Sequence, residues 1–132
     1  MEIKLTKKKV DNLTMRSILP DETEQDQQFH IKIGCTVYGN ANNKNIVRIR
    51  YPVIVSVKDK ATLSMDYDFY FTLSEELTED FNTSIVTRQT APALAYPYIK
   101  SYVENFLSIS GYGDIDLPFL DFIKNPFEFD DE

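Results

Sequence analysis

The sequence contains few of the residues from which catalytic and metal sites are commonly built. Its 132 residues include one His, one Cys, no Trp and four Gly. His30 and Cys35 therefore leave no His/Cys cluster for a metal and no glycine-rich loop for a phosphate. Alternation along a single strand also places the two on opposite faces, so they cannot form a base and nucleophile pair. We expect no enzyme, no catalytic residue, no metal site and no cofactor.

Long apolar runs and a positive net charge are also missing. No stretch approaches the ~20 apolar residues of a membrane-spanning helix, and the first residues do not open a signal peptide. The formal net charge of −7 argues against nucleic acid as a partner, because that affinity depends on Lys and Arg neutralising phosphates. We expect a cytoplasmic protein that neither inserts into membranes nor binds nucleic acid.

The chain is rich in aromatic residues, and its charge is unevenly distributed. It has 9 Phe and 8 Tyr, and its length suits one domain. Residues 1–60 hold 11 basic and 7 acidic side chains, whereas residues 61–132 hold 3 basic and 14 acidic ones. Two such halves can attract each other; alternatively, the basic run at residues 7–9 solvates an edge strand and the acidic end is a frayed tail. The composition favours binding through aromatic surfaces.

Alternating apolar residues predict that residues 1–73 form a β-sheet with one face toward the core. A weak strand is expected from Ile3 to Ile18 and a second from Phe29 to Tyr38, and two further strands make an antiparallel meander with the second. Pro52 cannot donate to a strand ladder, so it predicts an edge position or a bulge. The inward rows are predicted to be Phe29, Ile31, Ile33, Cys35 and Val37, then Val47, Ile49, Tyr51, Val53, Val55 and Val57, then Leu63, Met65, Tyr67, Phe69, Phe71 and Leu73.

Apolar spacing of three and four residues predicts that residues 75–110 are helical. Pro92 and Pro97 predict a break, with a better helix restarting near Pro97 and ending where Gly111 and Gly113 follow. Residues 111–132 are expected to form an apolar loop and an acidic tail. The whole chain is thus predicted to be one α+β domain, in which a four-stranded antiparallel sheet precedes a long helix packed on one of its faces.

The predicted helix is apolar on two sides, which indicates that both sides are covered. One side can face the sheet of its own chain, and the other is expected to lie between subunits. The predicted oligomer interface is Tyr98, Ile99, Tyr102, Val103 and Phe106.

Residues 91–122 carry a resemblance to a known family. Residues 91–100 read APALAYPYIK, with a Pro, four residues, and then a Pro-Tyr-x-basic run. Further on, Ser110-Gly111 precedes an apolar segment in which Ile115, Leu117, Pro118 and Asp121-Phe122 keep a fixed spacing. This pattern resembles the long helix and connecting loop of the SecB family of protein-export chaperones.

The resemblance implies a four-stranded antiparallel sheet followed by a long helix, the order that periodicity predicts independently. SecB-family proteins are acidic cytosolic homotetramers, built as dimers of dimers, that hold unfolded preproteins in apolar grooves and pass them to the SecA motor. Residues 123–127 leave no room for the family's C-terminal helix, which helps contact SecA. The resemblance therefore implies a SecA-type partner less firmly than it implies client binding and a homo-oligomer, dimer or tetramer.

Binding of unfolded chains requires solvent-reachable apolar surface, which we expect in the loop after the helix. The predicted client-binding groove is Tyr112, Phe119, Leu120, Phe122 and Phe127. Alternatively, Leu117, Phe119 and Phe122 simply tuck the loop onto the sheet. Asp66, Asp68 and Tyr70 lie outward on their strand and could bind a cation or a basic partner, although a solvated sheet face explains them more simply.

These observations give a first hypothesis of an ATP-independent chaperone for unfolded or non-native polypeptides, including preproteins for export. The alternative is a dedicated interaction or regulatory module on the same fold, for example one associated with a toxin–antitoxin system or a phage.

Overall fold

The computed structural model describes residues 1–18 and 28–127. These residues form five strands, β1 (Ile3–Ser17), β2 (Phe29–Ile33), β3 (Thr36–Gly39), β4 (Ile46–Val57) and β5 (Ala61–Leu73). A 3₁₀ turn (Phe81–Thr83) and a π-helical turn (Val86–Thr90) lead into one long helix, α1 (Ala91–Ile109). Most of the loop predicted before β2 and the last five residues of the predicted acidic tail lie outside the described residues.

The strands form one antiparallel sheet in the order β1-β5-β4-β2, and β3 pairs with β4 beyond the end of β2. The predicted meander and α+β class are confirmed, because β2 and β3 pair with β4, β4 pairs with β5, and α1 follows the sheet. The predicted weak N-terminal strand is a 15-residue strand that pairs with β5 along most of its length.

The core lies between the inner face of the sheet and α1. The predicted inward rows of β4 and β5 are buried, as alternation requires, and that of β2 and β3 is half-buried at the sheet edge. The helix contributes side chains spaced by three and four residues, namely Ala95, Ile99, Val103 and Leu107, together with Tyr96. The opposite, outer face of the sheet carries no helix from the described residues.

The second predicted strand is divided in two, and the cause is Pro52. The amide of Gly34 donates to the carbonyl of Pro52 at 2.8 Å, but the proline nitrogen has no hydrogen to return the bond. The ladder is therefore interrupted between β2 and β3, although the register with β4 is the same on both sides. The prediction for Pro52 was wrong: it lies in a central strand whose pairing with β5 has no bulge.

The predicted break in the helix is also wrong, since α1 runs through Pro97 without interruption. The carbonyl that loses its hydrogen bond belongs to Ala93, which is exposed, as is Pro97 itself, so water can satisfy that oxygen. The helical region also begins later than predicted, with Phe81 rather than residue 75. No helix within the described part of the chain is long and apolar enough to cross a membrane.

The end of α1 follows the prediction. Gly111 has a φ of 94°, and its amide donates to Ser108 while the amide of Tyr112 donates to Leu107. These two bonds form a Schellman motif, in which a left-handed residue closes the last turn. The chain then reverses direction and returns along the helix.

Candidate functional site

One side of α1 carries apolar side chains that its own chain leaves in contact with solvent. We call Leu94, Tyr98, Tyr102, Phe106 and Ile109 the apolar stripe. Leu94 and Tyr98 are exposed by 43% and 44%, and Ile109 by 87%. Tyr102 and Phe106 are half-buried and stack on each other with ring centroids 6.1 Å apart. The stripe follows from helical spacing, because its residues recur at three- and four-residue steps.

An open cavity of about 310 Å³ lies against the apolar stripe. Its floor is Tyr67 of β5, whose ring meets that of Tyr102 edge-on at 5.7 Å. Tyr67 pairs with Val10 of β1, so the half-buried inner row of β1 continues from this floor. Helix and sheet thus form two walls of an apolar groove.

The tyrosine at the floor of this groove, Tyr67, holds its proton more firmly than an exposed tyrosine does. Burial raises the pKa of Tyr67, and the neighbouring Tyr102 and Tyr98 raise it further. The only cation over an aromatic ring of the stripe, among the described residues, is Lys8, whose Nζ lies 4.5 Å from the Tyr98 centroid. The groove is therefore suited to contacts with apolar and aromatic groups.

The loop after α1 is fastened along the other side of the helix. The carboxylate of Glu104 accepts the amide of Leu117 and a bond from Lys100 Nζ, both at 2.7 Å. The hydrogen bond to Glu104 raises the pKa of Lys100, and a second one to Asp116 at 3.1 Å raises it further. Ile115 and Leu117 are buried as a result. The loop is an ordered part of the domain along this stretch.

Two of the predicted groove residues are packed inward instead. Phe122 is only 9% exposed and meets the ring of Tyr96 edge-on at 6.0 Å. Phe127 stacks on Phe122 and approaches Tyr51 of β4. Phe122 and Leu117 are buried, which agrees with the alternative expectation that these side chains pack the loop against the domain.

The other three predicted groove residues differ in exposure and contacts; they are Tyr112, Phe119 and Leu120. Tyr112 is half-buried, its hydroxyl shares a hydrogen bond with Ser17, and its carbonyl accepts from Lys60 Nζ at 3.0 Å. Leu120 is half-buried, whereas Phe119 is 76% exposed. Ile123, which the sequence reasoning did not select, is 62% exposed on the same loop. We call Phe119, Leu120 and Ile123 the loop patch.

The predicted oligomer interface divides in the same way. Ile99 and Val103 are 3% and 0% exposed within the single chain, so they are core residues that face the sheet. Tyr98, Tyr102 and Phe106 remain on the apolar stripe. The expectation of two apolar helix sides agrees with the structure, but the predicted interface combined residues from both sides.

The outer carboxylates of β5 are paired with arginines of the same chain. Asp68 is 1% exposed and accepts two bonds from Arg50, from Nε at 2.8 Å and Nη2 at 3.0 Å. Asp66 accepts a bond from Asn12 at 2.8 Å and lies 3.6 Å from Arg50 Nη1. A solvated face was the simpler expectation for these residues, and for Asp68 it is wrong, because the arginines cover it. Neither carboxylate is presented as a free site for a basic partner.

His30 and Cys35 lie apart, as predicted. His30 is exposed on the outer face, while Cys35 packs against the core and burial raises its pKa to about 12. Within residues 1–18 and 28–127, no group of three or more His, Cys, Asp and Glu side chains could hold a metal ion.

Comparison with solved structures identifies the fold. The chain is similar to the SecB-like chaperone Rv1957 of Mycobacterium tuberculosis, solved in complex with a ChAD peptide from the Rv1956 HigA1 antitoxin. The TM-score is 0.73 at 15% identity, and the alignment covers 90% of each chain. A Streptococcus agalactiae protein of unknown function aligns with a TM-score of 0.60 at 12% identity, over 90% of this chain and 98% of that one. No family model and no curated protein matches the sequence. The fold is therefore SecB-like, as the resemblance in residues 91–122 implied.

Proposed function

We propose that the protein is an ATP-independent chaperone that binds unfolded or non-native polypeptide segments. The observation that carries this proposal is the pair of apolar surfaces, the apolar stripe with its groove and the loop patch, on a SecB-like domain. The antitoxin peptide bound by the Mycobacterium tuberculosis chaperone supports a polypeptide ligand. Preproteins for export, with release to a SecA-type motor, are one class of client on this proposal, and the cytoplasm is its location.

The two surfaces have separate roles in the proposal. The loop patch contacts clients, because Phe119 and Ile123 protrude from a loop whose backbone is fixed by Glu104. The apolar stripe, a continuous helix face beside an open groove, joins subunits into a dimer or a tetramer. Buried apolar area stabilises both kinds of contact by about 25 cal/mol per Å².

A binding assay with a permanently unfolded client tests the loop patch. Fluorescence anisotropy of labelled, reduced and carboxymethylated α-lactalbumin should report binding to the wild-type protein. Phe119→Ser with Ile123→Ser should raise Kd roughly 30-fold, since each side chain loses about 1 kcal/mol of partial burial in the complex. Ile85→Ser is a matched control, because Ile85 is 69% exposed and lies outside both surfaces. Equal affinity for the patch and control variants would contradict the assignment.

Sedimentation velocity tests the apolar stripe. The wild-type protein should associate with rising concentration, and Tyr98→Ser with Phe106→Ser should leave a monomer that still melts cooperatively. A wild-type protein that stays monomeric at high micromolar concentration would rule out the proposed interface.

A dedicated interaction module is the second candidate, and the peptide complex of the Mycobacterium tuberculosis protein favours it, since that ligand comes from one antitoxin. Affinity purification from the native host separates the two functions. Many unrelated clients that are lost when the loop patch is altered indicate a general chaperone, whereas one stoichiometric partner indicates the module.

A further inference from the structure

A row of four side chains crosses the outer face of the sheet, on the side away from the apolar stripe. Lys7 of β1 pairs with Tyr70 of β5, Tyr70 pairs with Arg48 of β4, and Arg48 pairs with Tyr38 of β3. Side chains at paired positions project from the same face, so these four lie side by side. We call them the cation–tyrosine row.

Each cation of the row lies over an aromatic ring. Lys7 Nζ is 5.2 Å from the centroid of Tyr70, and the guanidinium carbon of Arg48 is 4.1 Å from that of Tyr38. Such contacts favour one orientation of a flexible cation while leaving the edge of a guanidinium group available for hydrogen bonds. The row therefore holds its charges in place without neutralising them.

The neighbouring row shows the contrast. There Lys9, Asp68 and Arg50 occupy paired positions, and the carboxylate of Asp68 is enclosed by Arg50. The side chain of Arg48 makes one long hydrogen bond to Asp68, at 3.4 Å from Nη1, and no other within the described part of the chain. Lys7 forms no ion pair with any described residue. Among the described residues, Asp68 is the one carboxylate in contact with the row, and Arg48 shares it with Arg50, so the described residues balance the positive charge of the row only in part.

A cavity lies at one end of the row. It has a volume of about 310 Å³, is open to solvent, and is lined by Tyr38, Arg48 and Tyr70 together with Gly39, Asn40 and Ile46. A space of this size accepts a single side chain, and Arg48 gives it a preference for an oxygen-bearing anion such as a carboxylate.

We propose that the cation–tyrosine row docks an acidic polypeptide segment. One carboxylate occupies the cavity on the N–H edge of Arg48, and a second lies near Lys7, two strands away and about 10 Å distant by ordinary strand spacing. Charge complementarity selects this partner. Asp11 and Asp66 on the same face, and the net charge of −7, repel a nucleic acid more strongly than a peptide. A nucleic acid carries a charge on every phosphate, whereas a peptide can place its few carboxylates beside Arg48 and Lys7 alone.

The probe is a fluorescein-labelled twelve-residue peptide, three repeats of Ser-Glu-Gly-Asp, measured by anisotropy with the full-length protein in 50 mM NaCl. We expect saturable binding that weakens several-fold at 300 mM NaCl, as screening requires. Lys7→Gln with Arg48→Gln should raise Kd at least tenfold. Lys58→Gln with Lys124→Gln makes the same change in net charge outside the row and should alter Kd less than twofold.

A conservative second variant distinguishes loss of the binding site from loss of folding, which the double replacement could also cause. Arg48→Lys keeps the charge but loses the planar fork, and it should weaken binding about three- to tenfold. No binding by the wild-type protein, equal loss in both double variants, or tighter binding of a twelve-nucleotide oligothymidylate than of the peptide would each overturn the proposal.

Discussion

The pairing of Asp68 with Arg50 predicts an unequal effect of removing its two members. Arg50→Met leaves the carboxylate of Asp68, 1% exposed, with the 3.4 Å contact to Arg48 as its one side-chain hydrogen bond among the described residues. Removing one partner of a buried pair costs about 3–5 kcal/mol, and we expect the lower end, about 3 kcal/mol, because Arg48 remains. Asp68→Asn leaves a guanidinium that is 21% exposed and has Asp66 and Asp11 at 3.6 and 3.7 Å. That variant should lose only about 1 kcal/mol.

Urea unfolding followed by circular dichroism, at one fixed protein concentration, measures both free energies of unfolding. Lys32→Met is the control, because Lys32 is exposed on the outer side of β2, and its effect should stay within about 0.5 kcal/mol. An Asp68→Asn variant at least as destabilised as Arg50→Met would refute the view that the carboxylate is the buried, dependent partner.

Three further predictions concern Tyr51, Cys35 and Glu104. Tyr51→Phe should raise the free energy of unfolding by about 1 kcal/mol in the urea assay, because the buried Tyr51 hydroxyl has no hydrogen-bond partner among the described residues. A loss of stability would show that this hydroxyl is bonded. Burial raises the pKa of Cys35 to about 12, so the folded state keeps a proton that the unfolded chain releases above pH ~8.5. The free energy of unfolding should therefore fall as pH rises from ~8.5 toward 12, and Cys35 contributes at most ~1.4 kcal/mol per pH unit to that fall. The fall should be more gentle in Cys35→Ala. An unchanged slope in that variant would count against the raised pKa of Cys35. Glu104→Ala should lower the free energy of unfolding by about 1.5–3 kcal/mol and speed amide hydrogen exchange at Leu117 relative to Leu107. Full protection of the Leu117 amide in this variant would contradict the anchoring role of Glu104.

The sheet was accessible from the sequence because a two-residue period reports which side chains face the core. The rows through Ile49 and Phe69 needed no further information. The pairing of Arg50 with Asp68 was also within reach, since a tight turn at residues 58–60 fixes the register of β4 and β5. Alternation alone places the outward charges in solvent, and the burial of Asp68 follows only when that register is applied.

The helix and loop were harder to predict for a different physical reason. Pro97 is a strong local signal for a break, but burial of Tyr96 and Ile99 on the opposite side of the helix outweighs the loss of one hydrogen bond. In the loop there is no period, so nothing in the sequence distinguishes Phe119, which protrudes, from Phe122, which is buried. That distinction arises from the bonds of Glu104 and Tyr96 to the loop backbone, at Leu117 and Pro118.

The proline in β4 has a consequence for aggregation. Because Pro52 interrupts the ladder, the edge of the sheet formed by β2 and β3 consists of segments of five and four residues. An incoming strand from another molecule finds no long, regular row of free amides and carbonyls there, so sheets of successive copies cannot easily join along this edge. Strand-to-strand association through this edge is thus disfavoured, even though aromatic side chains lie in solvent elsewhere on the molecule.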